Sequence, residues 1–402
     1  MSDGLKSRLL EKLRWRVRRL AGVIGRVIPA PKPEAAVNRI LCIVCGGIGD
    51  RLLALPALRF LREEYPQAHI CIAWFDGGIP VRDTRFQEEY VFNRGDIMGK
   101  VRLAARGFDL CFVSSLGYLS ATCDVCALVS RARIRRGPRP GGYRKRLVYN
   151  LAYEDPPGEH ITVVNARGAG WHGTQRMLPY PIRHLAFPNP VGMEETTDSV
   201  NLVVFHVGCN PKFARKRWDP GRYRELITLL AAEPGRELAL IGDRSEAALM
   251  ETIAQGLPVS VNILADVGQW LDWLKRASVF VGNDSGPAHL AAAMGTATIV
   301  VMSPTDPALC QPVFDRGAIV YQQCDVGACY YISGECRRCI DRITADQVAA
   351  VVARLLSEGR GLGQPQPSSS IIETRTSLSD SSASPGRPYP LLIKDQTSND
   401  CI

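Results

Sequence analysis

One pattern dominates this sequence: short apolar runs alternate with amphipathic stretches. The first run, at 39–44, is followed by a glycine-rich turn and a helical stretch, and further apolar runs follow at 69–74 and 109–114. Strands that are apolar throughout are typical of sheets buried on both faces, and a helix between two successive strands makes those strands parallel. The alternation therefore predicts an α/β fold, with a parallel sheet covered by helices.

The same alternation continues in the second half of the chain. It predicts strands at 200–207, 237–241, 258–262, 278–282 and 297–302, and helices at 220–231, 244–254, 267–277, 287–294 and about 345–357. We therefore expect two Rossmann-like, doubly wound domains, residues 34–198 and 199–358. Open sheets of this kind bind ligands at the carboxyl ends of their strands, so the cleft between the domains is the expected site. The Pro-, Gly- and aromatic-rich stretch 135–198 remains unassigned.

The two ends of the chain differ from this body. Residues 1–33 carry nine Lys or Arg against two acids, and apolar residues between 5 and 27 recur at steps of three or four. This predicts a basic amphipathic helix followed by a proline linker. Such a helix suits an anionic membrane surface, and the alternative is a helix docked on the protein's own body. Residues 359–402 are rich in Ser, Gly and Pro and predict a disordered tail.

The composition also excludes several classes of protein. No uninterrupted apolar run approaches the ~18 residues of a membrane span, and charges recur too often before Arg26 for a secretory signal. We therefore expect a cytoplasmic protein, with the basic helix as the part suited to a membrane surface. The net charge of +9 is concentrated in the first 33 residues, so no nucleic-acid partner is expected. In a reducing compartment the 13 cysteines are expected to be free thiols.

The first motif with chemical potential is the loop Gly46-Gly47-Ile48-Gly49-Asp50, directly after the first strand. Glycines let the backbone approach a ligand, and the start of a helix favours anions. The loop completes neither the dinucleotide fingerprint nor a Walker loop. Asp50 has two interpretations: it caps the helix, or it is a general base that takes a proton from an incoming hydroxyl.

The second motif, GNDSGPAH at 282–289, lies between an apolar strand and a helix. Free amides of Ser285, Gly286 and the first helical turn would point at an anion, while Asp284 or Ser285 caps the helix. His289 lies in the same turn, on a helix otherwise made of Ala, Leu and Met. For this histidine a structural role and a ligand contact are both open.

Two further stretches lie at the ends of predicted strands in the second domain. The first is a cationic run that either holds a diphosphate or is simply solvated. It comprises Lys212, Arg215, Lys216 and Arg217, followed by Trp218. The second comprises Gly242, Asp243 and Glu246, whose acids either accept hydrogen bonds from ribose hydroxyls or, for Asp243, cap a helix.

Cysteines are the last feature of note. Near the end of the second domain stand Cys324, Cys329, Cys336 and Cys339. Four thiolates can build a structural metal site, although free thiols or a redox pair are the favoured interpretation. Two other pairs with CxxC spacing, Cys42 with Cys45 and Cys123 with Cys126, are expected to pack inside helices and strands.

Taken together, three blocks resemble the heptosyltransferases of lipopolysaccharide synthesis, glycosyltransferase family 9. They are 39–66, 206–226 with KRW in its middle, and 279–307 with DSGPAH and PTDP. The resemblance extends over about 38–358. It implies a GT-B fold, in which the amino-terminal domain receives the acceptor and the carboxyl-terminal domain holds the nucleotide sugar. It also implies an inverting transfer that requires no metal or other cofactor.

The resemblance further implies roles for individual residues. Asp50, behind the glycine loop of Gly46, Gly47 and Gly49, is the catalytic base, and Lys216 binds the donor phosphates. Asp284, Ser285, Gly286 and His289 surround the diphosphate and sugar, and Asp243 or Glu246 contacts the nucleoside.

The implied reaction transfers heptose from ADP-heptose to a lipopolysaccharide core or lipid A precursor at the inner membrane. The alternatives are another nucleotide sugar, a protein or other glycan acceptor, and a non-catalytic protein of this fold that binds a nucleotide sugar.

Overall fold

A computed structural model describes most of the two predicted domains. The described residues are 36–75, 85–115, 120–139, 148–154, 158–173, 201–314, 316–322, 339–358 and 368–373. The predicted basic helix, the three cysteines 324, 329 and 336, and most of the tail lie outside these residues.

The first half of the chain forms a six-stranded parallel sheet with the order β3-β2-β1-β4-β5-β6. Its strands are β1 (Arg39–Val44), β2 (His69–Trp74), β3 (Glu88–Val91), β4 (Leu110–Val113), β5 (Ile134–Arg139) and β6 (Leu151–Glu154). Its helices are α1 (Ile48–Glu64), α2 (Ile97–Ala104), α3 (Ala121–Val129) and α4 (Ile161–Ala169). The central strands β1, β2 and β4 are almost wholly buried, as their apolar sequences require.

The second half forms a seven-stranded parallel sheet with the order β13-β12-β11-β10-β7-β8-β9. Its strands are β7 (Leu202–His206), β8 (Glu237–Gly242), β9 (Ser260–Ile263), β10 (Val279–Asn283), β11 (Ala297–Met302), β12 (Arg316–Tyr321) and β13 (Ser368–Glu373). Its helices are α5 (Pro220–Ala231), α6 (Ala247–Ala254), α7 (Val267–Arg276), α8 (Gly286–Ala293), α9 (Pro307–Cys310) and α10 (Ala345–Glu358). The predicted α/β class is confirmed.

Some strands were not predicted from the sequence, because they lack an apolar run. β5 has the sequence IRRGPR, and it is a strand because it pairs with the buried β4, with Leu110 opposite Ile134. Residues 368–373 were expected to belong to a disordered tail. Instead they pair with β12 from Ser368 to Glu373, so the edge of an existing sheet supplies the order that their own sequence does not. The helix expected at 244–254 begins as a 3₁₀ turn, Arg244–Glu246.

The two sheets meet through the starts of α1 and α8, where glycines allow a close approach. A Cβ on Gly286 would collide with Cγ2 of Ile48, and a Cβ on Gly49 would lie 2.7 Å from Cδ2 of His289. One of the buried apolar clusters contains residues of both halves. Among the described helices, none is long and apolar enough to cross a membrane.

Candidate functional site

Asp50 lies at the start of α1, facing the glycine turn after β1. The backbone N–H of Gly47 donates to Oδ2 of Asp50 at 2.8 Å, so this carboxylate does cap the helix, as one of its two interpretations predicted. Gly46 has a φ of +108°, and a Cβ at this position would collide with the Asp50 side chain. Glycine is therefore required at 46 both for its backbone conformation and for space.

The electrostatic surroundings of Asp50 come from both domains. Burial raises the pKa of Asp50 from 3.8 to about 6, and Asp284 adds to the rise. The Gly47 hydrogen bond and the charges of Lys216 and Arg51 oppose it. A carboxyl group with this pKa is mostly ionised at neutral pH, yet it is more basic than an exposed aspartate. Capping and general-base chemistry are therefore compatible in one side chain.

Lys216 and Asp284 face Asp50 from the second domain. The ammonium of Lys216 lies 2.6 Å from Oδ2 of Asp284, and both side chains are largely buried. The expectation that Asp284 or Ser285 caps α8 is wrong. Ser285 occupies the N-cap position without a side-chain cap bond, because its hydroxyl contacts the carbonyl of Asn283 and the His206 ring instead. The backbone at the start of α8 therefore retains its affinity for an anion.

His289 lies in the first turn of α8 against Gly49 of the other domain. Burial lowers the pKa of its imidazole to about 4, with Asp284 opposing this shift and Lys216 and His160 reinforcing it. The ring is therefore neutral at physiological pH and acts through hydrogen bonds, not as a fixed positive charge.

The members of the cationic run after β7 make different contacts. Lys216 reaches Asp284, whereas the guanidinium of Arg217 donates to the carbonyl oxygen of Cys209 at 2.8 Å. Trp218 is buried, and its indole N–H donates to the carbonyl oxygen of Ile343 at 2.9 Å. Arg215 is half-buried, and the side chain of Lys212 lies outside the described residues. Lys216 therefore pairs with an acid of the 282–289 motif, and Arg217 with the backbone of its own loop.

Both acids after β8 act as caps. Oδ1 of Asp243 accepts from the backbone N–H of Ser245 at 2.7 Å, so the helix-cap interpretation is confirmed. Glu246 reaches back to the N–H of Asp243 at 3.2 Å and also contacts the His206 ring. Contact of either acid with a nucleoside remains a prediction.

Asn283 and His206 also lie at this site, and the sequence predicted no role for either side chain. The Asn283 carboxamide accepts from the backbone N–H of Trp218 at 2.9 Å and donates to the carbonyls of Val207 and Gly208. It thereby ties the Lys216 loop to the start of α8. The available signal was the same for both residues: one polar side chain at the carboxyl end of an otherwise apolar strand.

No disulfide joins the described cysteines to one another, and most of them are buried. Cys42 in β1 and Cys123 and Cys126 in α3 are buried, as expected. Cys45 is buried directly after β1, and its Sγ lies 3.1 Å from Sγ of Cys123. Cys339 is buried, and the other three cysteines of the predicted cluster lie outside the described residues. Within the described ranges, no group of three or more His, Cys, Asp or Glu side chains is placed to hold a metal ion.

Comparisons with known proteins agree on one family. Residues 193–332 match the family model of glycosyltransferase family 9 (heptosyltransferase). Lipooligosaccharide heptosyltransferase 2 of Haemophilus influenzae is 30% identical over 112 residues, which cover 26% of this chain and 32% of that protein. Lipopolysaccharide heptosyltransferase 3 of Escherichia coli is 24% identical over 295 residues, which cover 66% of this chain and 83% of that protein. The chain thus aligns with about a third of the first relative and most of the second.

Solved structures with the same architecture extend the similarity to both sheets. The E. coli ADP-heptose lps heptosyltransferase II superposes with a TM-score of 0.61 at 20% identity, covering 80% of this chain and 100% of that one. The E. coli heptosyltransferase WaaC with ADP gives a TM-score of 0.60 at 20% identity, covering 79% of this chain and 99% of that one. At these identities the similarity establishes the fold.

Proposed function

From the match of residues 193–332 to glycosyltransferase family 9 and the shared fold, we propose that this chain transfers heptose from ADP-heptose to a lipopolysaccharide core or lipid A precursor. The observation that carries the proposal is the meeting of two helix starts in one cleft. Asp50 stands on α1 of one domain, and Lys216, Asp284 and His289 face it from the other. A base on one side and cations and amide dipoles on the other are what a glycosyl transfer needs.

The proposed reaction is a single displacement with inversion. The acceptor hydroxyl attacks the anomeric carbon of the donor, and Asp50 accepts the hydroxyl proton as the new C–O bond forms. The bond from the anomeric carbon to the phosphate oxygen breaks, and the nucleoside diphosphate leaves with the electron pair. Lys216 and the backbone N–H groups at the start of α8 stabilise the negative charge that develops on the leaving oxygen.

Asp284 has a second role in this scheme. Its carboxylate holds the Lys216 ammonium at 2.6 Å, next to the start of α8, so the cation is in place before the donor arrives. An ammonium group has three N–H donors, and those not used by Asp284 serve the phosphates. Ser285, Gly286 and the neutral His289 complete the surroundings of the diphosphate and sugar, and Asp243 or Glu246 contacts the nucleoside.

The choice of ADP-heptose rests on the relatives. Structures that share this fold include the E. coli heptosyltransferase WaaC with ADP and with ADP-2-deoxy-2-fluoro heptose. We propose the same donor here, bound without a metal ion because Lys216 and the start of α8 supply the positive potential.

Titration calorimetry tests the donor. ADP-heptose should bind in the presence of EDTA, and ADP-glucose and UDP-glucose should bind at least tenfold more weakly. Lys216→Ala should weaken ADP-heptose binding. If the wild type binds no ADP-sugar, the donor assignment is refuted. If ADP-heptose binds only after Mg²⁺ replaces EDTA, the metal-free scheme is refuted.

We further propose that residues 1–33 hold the enzyme at the cytoplasmic surface of the inner membrane. A basic amphipathic helix binds anionic headgroups and brings an enzyme close to a lipid-linked acceptor. Sedimentation with anionic vesicles should fall when residues 1–33 are deleted, whereas donor affinity should stay unchanged. Neutral phosphatidylcholine vesicles are the control. Equal sedimentation of the full and truncated chains would contradict this anchoring role.

A further inference from the structure

We propose that His206 is a positioning residue that aligns the nucleoside and diphosphate parts of the donor site. The inference rests on the proposed function and concerns how that site is held, not which residues carry out the reaction. His206 is the last residue of β7, and it lies opposite Gly282 of the neighbouring β10. Only 4% of its side chain is exposed.

The imidazole connects two loops that are distant in the sequence. Nε2 lies 3.1 Å from Oε2 of Glu246, after β8, and Nδ1 lies 3.3 Å from Oγ of Ser285, at the start of α8. A carboxylate can only accept in this contact, so Nε2 carries a proton. The ring is the one described side chain that contacts both Glu246 and Ser285 in this way, and each of its nitrogens serves one of them.

Glu246 is held closely around this contact. Its Oε2 also accepts from the N–H of Asp243, and a Cβ on Gly208 would collide with its Oε1. A Cβ on Gly242 would lie 2.8 Å from Oε2. The backbone at the ends of β7 and β8 therefore leaves just enough room for the carboxylate, and the imidazole fixes its direction.

The ring itself has little freedom. Trp270 of α7 packs against it edge-on, with the ring centroids 5.4 Å apart and an interplanar angle of 69°. On the Ser285 side, the one hydroxyl proton is shared between Nδ1 and the carbonyl oxygen of Asn283, which lies 3.2 Å from Oγ. A rigid ring between two anchored partners fixes the spacing between the loop after β8 and the start of α8.

Because the two loops are already held at this spacing, a donor that spans both of them does not have to order them when it binds. Without the ring, Glu246 loses a donor and Ser285 loses a partner, so donor binding must then order both loops at a cost in affinity. Asp50 stands on the other domain, and its distance to the acceptor does not depend on His206. The loss should therefore fall on donor affinity and not on the chemical step.

The test uses the full chain and compares three substitutions. His206→Ala removes both contacts, His206→Gln restores a donor near the Nε2 position, and His206→Asn restores a polar group near the Nδ1 position. Thr298→Val is a matched control, because it removes a buried hydroxyl from β11 of the same sheet. The measurements are the Kd of ADP by calorimetry, KM and kcat with ADP-heptose, and the melting temperature.

We expect His206→Ala to raise the Kd of ADP and the KM for the donor about tenfold, with kcat changed less than threefold. The Gln and Asn variants should each recover part of the affinity, and Thr298→Val should bind ADP like the wild type. Unchanged affinity in His206→Ala would overturn the proposal, as would a fall in kcat at constant KM or an affinity loss that the Gln and Asn variants do not reduce.

Failure of the His206 proposal can be distinguished from failure of the proposed function. If the wild type binds UDP in place of ADP, the ADP-heptose assignment fails, and the same three variants titrated with UDP still decide the role of His206. If the Ala variant does not fold, the Gln and Asn variants provide the decision. At least one of them should then bind the nucleotide more weakly than the wild type does, with kcat retained.

Discussion

Replacing Asp50 with Asn tests the proposed base most directly, because it removes the charge and keeps an oxygen that accepts the Gly47 N–H. General-base catalysis contributes about 10²–10⁴-fold to a rate, and we expect kcat to fall by that factor. Donor affinity should change less than about threefold, since Asp50 faces the acceptor in the proposed scheme. Asp96→Asn is the matched control, because this exposed aspartate accepts the N–H of Gly99 at the start of α2.

The pH dependence follows from the same side chain. With a pKa of about 6 for Asp50, the base is about one-tenth ionised at pH 5, so wild-type kcat/KM should fall about tenfold between the neutral plateau and pH 5. The residual activity of Asp50→Asn should lack this acid limb. More than a tenth of wild-type kcat in the variant, or equal losses in turnover and donor affinity, would refute the base assignment.

Stability should move in the opposite direction. Burial raises the folded-state pKa of Asp50 from 3.8 to about 6, so the folded protein binds more protons than the unfolded chain between these pH values. Wild-type stability therefore falls as pH rises through this window, by at most about 3 kcal/mol for a shift of about two units. Asp50→Asn should be more stable than the wild type at pH 8, with no such gain at pH 3.5. A lower melting temperature at pH 8 would contradict the pKa and its cause.

Two further predictions concern the second domain and its contact with the first. Lys216→Ala should weaken ADP binding at least tenfold and destabilise the fold by about 3–5 kcal/mol in urea, because it leaves the buried Asp284 carboxylate without its cation. Adding Asp284→Asn should restore stability but not affinity. Gly286→Ala should lower kcat/KM, because its Cβ collides with Ile48, and Ile48→Ala in the same chain should recover most of the loss. Gly95→Ala, at a position with open space around it, should have no effect on kcat/KM.

The central strands can be predicted from the sequence because strands that are buried on both faces consist of apolar residues. β1, β2 and β11 begin and end where their apolar runs do. The same pattern does not predict β5 and β13, because these strands form by pairing with strands elsewhere in the chain. The fold class is thus readable from local patterns, but the edges of the sheets are not.

Some features of the site can also be predicted from local sequence patterns, and others cannot. Asp50 and the 282–289 motif are recognisable from glycines and a cap residue after a strand. The pKa of Asp50 is not recognisable, because it depends on burial and on Lys216 and Asp284 of the other domain. His206 escaped notice because Glu246 and Ser285 stand 40 and 79 positions away in the chain, and no local pattern joins them.

A buried apolar cluster runs through α1 and α8 and joins the two sheets. We therefore expect the two structural domains to unfold together, as one cooperative unit. Leu55 of α1 and Leu290 of α8 belong to the same buried cluster. Melting should therefore give one calorimetric peak for both sheets, since neither half can unfold without exposing the apolar surface of the other. A chimera that takes its carboxyl-terminal half from another protein of this fold would also have to inherit the matching face of α1.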